Sequence, residues 1–272
     1  MKGAAASAAV ACVVAAAVGL GIAGTRSDDL SVATTSFDGV GSIASSVGFQ
    51  LMLDSIDGRQ IDPKSQEAID DLELLYALFS FEPEVLKRVA PMRLIGPNPA
   101  SAIGVYDKLF ERAPAMLQDK SVVGGLIEGS RRAESRDVFF EIALGHAGTV
   151  GPDIVYDIVY KSAQQKSPAY PRAVQTIQTK EFRAAASPAL LIAVDFRYSM
   201  NCVDKKRMLD RVQKHGDERT LILLQALRST KGCGWRKGSD CWKCLRDGQL
   251  DRAIKVVAKR VGANEKAQAD SK

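Results

Sequence analysis

Residues 202–229 read CVDKKRMLDRVQKHGDERTLILLQALRS, two amphipathic segments divided by one glycine. The first runs from Cys202 to His215 and stops at Gly216; the second, residues 217–229, places Leu221, Leu224 and Leu227 at three-residue spacing. Long straight side chains and charges fill the other positions, which suits helix. Folded as an antiparallel hairpin, the end of the second helix would return to the start of the first. Downstream, Leu250, Ile254, Val257 and Val261 form the apolar stripe of a third helix over 250–261, opposite Arg252, Lys255 and Lys259.

The same pattern extends upstream. Asp62 and Pro63 supply an N-cap and a first-turn proline for a helix carrying Ala68, Leu72, Leu75 and Phe79. A short helix over 82–89 is closed by Pro91, and Gly96-Pro97-Asn98-Pro99 reads as a loop that caps a helix bearing Ile103, Tyr106 and Phe110. Further helices are expected over 122–132, 135–145, 152–164, 170–180 and 187–199, the last opened by Ser187-Pro188. The expectation is an all-α fold, an irregular helical-repeat solenoid or an α-bundle of antiparallel helix pairs. At 272 residues and 46% hydrophobic, the chain can bury one sizeable core or a continuous one shared by helical units. The layout reads as an apolar segment 1–24, a Ser-, Thr- and Gly-rich tether 25–60 with one apolar patch at 49–53, a helical domain 61–262 whose end 202–262 holds four cysteines, and a disordered tail 263–272.

The N-terminal segment sets the expected compartment. Lys2 precedes an uncharged run over 3–24, after which Arg26, Asp28 and Asp29 return the chain to water. A cleavable signal carries about 7–15 apolar residues and a membrane span about 20, so both a signal peptide and an anchor stay open. Cys12 lies too early in the run for a lipid attachment site, and Gly19, Gly21 and Gly24 match a dinucleotide-binding spacing with no strand before them. Either outcome exports the rest of the chain, which is then periplasmic or anchored in the cytoplasmic membrane by residues 3–24.

Cys202, Cys233, Cys241 and Cys244 cluster in the last quarter of the sequence. An oxidising compartment favours two disulfides; four thiolates on zinc and a redox-active Cys241–Cys244 pair are the alternatives. Three pairings are open. Cys241 with Cys244 would close a very short ring, which favours Cys202–Cys244 with Cys233–Cys241.

No catalytic constellation is legible. His146 and His215 sit at helix ends, where imidazole satisfies terminal carbonyls. Asp70 with Asp71, and Asp153 with Asp157, read as solvated helix faces, with Lys161 four residues after Asp157. Glu134-Ser135 matches the Glu-Ser pair of helical lytic transglycosylases without their accompanying Gly-Leu-Met-Gln motif. Residues 201–262 hold 16 Lys plus Arg against 7 Asp plus Glu, a local charge of +9 in a chain of +5, so the remainder carries −4. An anionic surface is therefore a candidate partner of the C-terminal region. Nucleic acid is the weaker candidate, since export separates the chain from most of it.

Residues 134–262 resemble the C-terminal extracytoplasmic, HEAT-like helical region attached to some bacterial membrane-spanning Ser/Thr protein kinases. The pieces that carry the resemblance are Gly151-Pro152-Asp153-Ile154-Val155-Tyr156, Lys180-Glu181-Phe182-Arg183 leading into Ala186-Ser187-Pro188-Ala189-Leu190, Gly232-Cys233-Gly234, and Asp240-Cys241-Trp242-Lys243-Cys244-Leu245-Arg246; Cys202 also falls where that pattern has a cysteine. The resemblance implies a shared helical module outside the membrane. The kinase motifs themselves are absent from this sequence. The expected function is a non-catalytic cell-envelope module for binding, scaffolding or sensing that uses no cofactor and engages a protein or an envelope polymer. The alternatives are a basic anion-binding protein with a thiolate zinc site and a peptidoglycan-acting enzyme.

Overall fold

A computed structural model of the chain describes residues 66–161, 167–233 and 235–270, with Phe49 and Leu53. The expected export segment, the tether and the Asp62-Pro63 cap lie outside the described residues. Among those described, secondary structure is helical apart from one isolated antiparallel bridge between Cys233 and Ser239. No described helix is long and apolar enough to cross a membrane. The chain divides into two compact units, one ending at Gly125 and one beginning at Leu126.

The first unit contains α1 (Gln66–Leu78), α2 (Pro83–Ile95), a 3-10 turn (Pro99–Ala102), α3 (Ile103–Arg112) and the first half of α4 (Lys120–Arg131). Its core is Leu75 from α1, Leu86 and Leu94 from α2, and Tyr106 and Leu109 from α3, all fully buried. Arg93 reaches from α2 to α1, where it donates to both Glu73 carboxylate oxygens at 2.9 and 2.5 Å and stacks on the Tyr76 ring.

Two expectations are corrected here. Pro91 does not close a helix but sits inside α2, which runs on to Ile95. Its ring packs against Gly125, where a side chain would collide with it, so tertiary packing compensates for the helix hydrogen bond that proline cannot make. Asn98 makes no side-chain cap; Ser101 instead donates to the Asn98 carbonyl at 2.7 Å.

The second unit contains the rest of α4, α5 (Arg136–Gly145), α6 (Val150–Tyr160), α7 (Tyr170–Thr176), α8 (Lys180–Ala185), α9 (Pro188–Tyr198), α10 (Cys202–His215), α11 (Glu218–Ala226) and α12 (Gln249–Asp270). The single helix expected over 170–180 is interrupted: the Thr179 side chain accepts from the Phe182 amide and starts α8 as a separate helix. Ser187, Asn201 and Asp217 open α9, α10 and α11 in the same way, accepting from the third residue on. The α12 backbone continues to Asp270 rather than ending before a disordered tail. Gly262 is not left-handed, and the strong helix formers beyond it keep the helix going.

The stapled end packs Ile192 and Phe196 of α9, Leu209 and Val212 of α10, Leu224 of α11, and Leu250, Ala253 and Val257 of α12 into one core. The expected hairpin is corrected in detail. Consecutive α10 and α11 pack mainly against α9 and α12 rather than against each other. The turn Lys243–Leu245 rests on α10, and this contact brings Cys202 to the cysteine loop.

Candidate functional site

Cys202 opens α10 and bonds to Cys244, with Cα atoms 6.1 Å apart; Cys233 bonds to Cys241 at 5.1 Å. Both separations are ordinary for disulfides. All four sulfurs are thereby consumed, which corrects the zinc and redox-pair alternatives: no thiolate remains to bind metal, and Cys241 and Cys244 are bonded to different partners. Two disulfides point to an oxidising compartment.

The loop between α11 and α12 is built on the shorter bridge. Cys233 and Ser239 exchange backbone hydrogen bonds at 3.0 and 2.9 Å, and the Gly232 amide donates to the Lys237 carbonyl at 2.8 Å. Gly232 has φ +128° and Lys237 φ +50°, so the chain reverses through left-handed positions at both ends of the tip. Arg246 closes the base. It donates to the Asp240 carboxylate at 2.7 Å and to the carbonyls of Leu227 and Ser229 at 3.0 and 2.8 Å. At the tip Trp235 is 99% exposed. Lys231, Arg236 and Lys237 beside it are exposed and have no carboxylate partner among the described residues.

Much of the remaining basic charge is neutralised locally. Lys206 pairs with Asp247 at 2.6 Å, Arg228 with Asp251 at 3.0 Å, and Arg211 and Arg183 with Asp195. Arg260 donates to the Gly216 and Gln213 carbonyls at the end of α10. The exposed cations of this end without a carboxylate partner among the described residues are those of the Trp235 loop, Lys214 of α10, and Arg252, Lys255 and Lys259 of α12.

A cleft of about 440 Å³ lies in the same unit, lined by Val159, Tyr160, Val174, Arg197, Tyr198, Lys205, Leu223, Leu227 and Trp242, among others. Lys205 is 94% buried yet belongs to α10, a helix with an otherwise basic face. Its ammonium donates to the Phe196 carbonyl and lies over the rings of Phe196 and Trp242, at 4.5 and 5.3 Å from their centroids. Burial pushes its pKa down. Arg197 donates to the Tyr156 hydroxyl at 2.9 Å and stacks on Tyr160 at 4.2 Å. Burial, together with a hydrogen bond to Tyr198, holds the Tyr160 hydroxyl well above its ordinary pKa. Neither cation has a carboxylate partner among the described residues.

The groups weighed for catalysis are dispersed. Ser135 is buried and donates to the Gly129 carbonyl at 2.7 Å, while Glu134 is exposed beside it. His146 is the C-cap residue of α5 and His215 the last residue of α10, as their positions suggested. Asp157 pairs with Lys161 at 2.5 Å. Asp153 is not a solvated carboxylate. It is half-buried against Arg219, which also binds Asp217 at 2.6 Å, and this buried setting pushes the Asp153 pKa up in spite of the guanidinium. Lys205 and Arg197 gave no signal in the sequence, because each sits in an ordinary helical run and the rings around them come from residues 156 to 242. Compared with family models, curated proteins and solved structures, the chain matches none.

Proposed function

We propose that this chain is a non-catalytic binding module of the cell envelope, exported by residues 3–24, that docks on an anionic lipid surface through the loop 231–243. The observation that carries the reading is Trp235, an indole held wholly in water at the tip of a disulfide-closed loop. An indole is amphipathic and settles at the headgroup level of a bilayer. Near such a surface each flanking Lys or Arg gains about 1 kcal/mol from anionic headgroups. The two disulfides and the resemblance to a kinase-attached extracytoplasmic helical region both fit an envelope location. The buried, hydrogen-bonded Ser135 gives no support to a Glu134-based hydrolase.

The test is co-sedimentation of the oxidised protein with phosphatidylcholine vesicles and with vesicles enriched in phosphatidylglycerol. Binding is expected only to the anionic vesicles, with a blue shift of Trp235 emission, weakening as salt rises. Trp235→Ala and Lys237→Glu should each reduce it. Absence of binding at low salt would overturn the docking surface. Peptidoglycan hydrolysis lost in Glu134→Gln would overturn the non-catalytic reading. Tight, salt-dependent DNA retardation would replace the lipid with nucleic acid.

A further inference from the structure

We infer that the cleft beside Lys205 and Trp242 is a binding site for a small amphipathic anion, a carboxylate or phosphate carried on an apolar or aromatic body, and that the Cys202–Cys244 disulfide holds it in shape. The inference is independent of lipid docking through Trp235.

A buried ammonium strongly favours a counter-charge, and proteins nearly always supply a carboxylate. Lys205 has none among the described residues, and its one protein acceptor, the Phe196 carbonyl, leaves further N–H donors of the ammonium for a ligand. Arg197 is placed similarly, with one N–H on Tyr156 and its plane against Tyr160. Two cations without a carboxylate partner among the described residues line one cleft, and there an oxyanion gains charge-assisted hydrogen bonds.

Val174, Leu223 and Leu227 offer apolar walls, and Trp242 and Tyr198 offer ring faces. A ligand needs an apolar or flat body to use them, which a bare inorganic ion lacks. The volume falls in the range of small-molecule sites.

Cys202 stands three residues before Lys205 on α10, and Cys244 two residues after Trp242. The disulfide thus ties together the two segments that present the ammonium and the indole. Its reduction frees the Trp242 segment from α10 and should open the site.

The experiment uses the full-length oxidised protein carrying Trp235→Phe, so that Trp242 is the only tryptophan. It is titrated with benzoate, indole-3-acetate and octanoate by calorimetry, with fluorescence for the first and last, and with inorganic phosphate as the bare-ion arm. Saturable binding of at least one amphipathic anion is expected, with phosphate much weaker. Lys205→Met should weaken that binding by about ten- to a hundredfold. The same substitution should leave the empty protein as stable or more so, since an apolar chain of similar shape then replaces an unpaired charge. Reduction of the disulfides should weaken binding in the same direction. Three results would overturn the proposal: no saturable binding of any organic probe, affinity unchanged by Lys205→Met, or phosphate binding as tightly as the organic anions. None of them bears on vesicle binding through Trp235.

Discussion

Gly151 at the start of α6 lies directly against the backbone of Ala143 in α5, so close that a methyl on Gly151 would overlap the Ala143 carbonyl oxygen and stand 2.6 Å from its Cα. The connection between the two helices is four residues long, and it turns through Gly148 at φ +49°. A tight turn followed at once by helix leaves the two backbones no room for a side chain. Gly151→Ala should therefore cost more than about 3 kcal/mol, because backbone rather than a rotatable group must move. Urea denaturation is the measurement; a midpoint equal to the parent's would mean that the turn relaxes freely.

Two adjacent glycines in α4 should respond with opposite signs. A methyl on Gly125 would lie 2.5 Å from Pro91 Cβ and 2.8 Å from its Cγ, whereas nothing lies within 4 Å of one on Gly124. Gly124→Ala should stabilise by about 0.5–1 kcal/mol through the lower entropy of the unfolded chain. Gly125→Ala should destabilise by about 1–3 kcal/mol, since the pyrrolidine ring is fixed inside α2. Parallel denaturation curves of the two variants test the pair.

Asp119 begins α4 by accepting from the Ser121 and Val122 amides at 2.8 and 3.3 Å and from the Ser121 hydroxyl, and it pairs with Lys87 at 3.0 Å. These donors, the Ser121 hydroxyl foremost and Lys87 next, hold its carboxyl far below the usual carboxylate range. The folded state thus binds its proton less tightly than the unfolded chain. The contribution is complete above about pH 4, the unfolded value, and fades as acid titrates the folded group. Asp119→Ala should cost about 1 kcal/mol near neutrality. The gap to the parent should narrow steadily below about pH 4. A gap that stayed constant into acid would assign the cost to something other than the carboxylate.

What was legible in the sequence was local. Ser187-Pro188 and Asp217 announce helix starts through side chains bonded within three residues, Gly216 marks the stop of α10 with its amide on the Val212 carbonyl, and those boundaries sit where the structure has them. Pro91 misled because its tolerance depends on a glycine 34 residues away. The break before α8 was missed because Thr179 caps within a run whose helix formers continue on both sides. The Asp153–Arg219 pair spans 66 positions and links two helices that look solvated when each is read alone. The cleft was invisible for the same reason: it is made by folding, and no stretch of chain contains it.

The cysteine pairing can be read out chemically, because the sequence places a trypsin site inside the cluster. Lys243 separates Cys241 from Cys244, and Arg236 separates Cys233 from both. A non-reducing tryptic map should therefore show residues 198–205 linked to residues 244–246, and residues 232–236 linked to residues 238–243. The two bridges should also differ in worth. Cys202–Cys244 spans 42 positions and Cys233–Cys241 spans 8. In the chain-entropy account these close loops worth about 4 and about 2.6 kcal/mol. Replacing Cys202 and Cys244 together by Ala should thus lower stability more than replacing Cys233 and Cys241, and it alone should disturb the packing of α10 against the Lys243–Leu245 turn. Losing the shorter bridge should chiefly free the Trp235 tip and lower the denaturation midpoint by a smaller step. Equal losses for the two double variants would mean that strain or residual structure, rather than loop closure, sets the value of these bridges, and a map with Cys202 joined to Cys233 or to Cys241 would discard the arrangement outright.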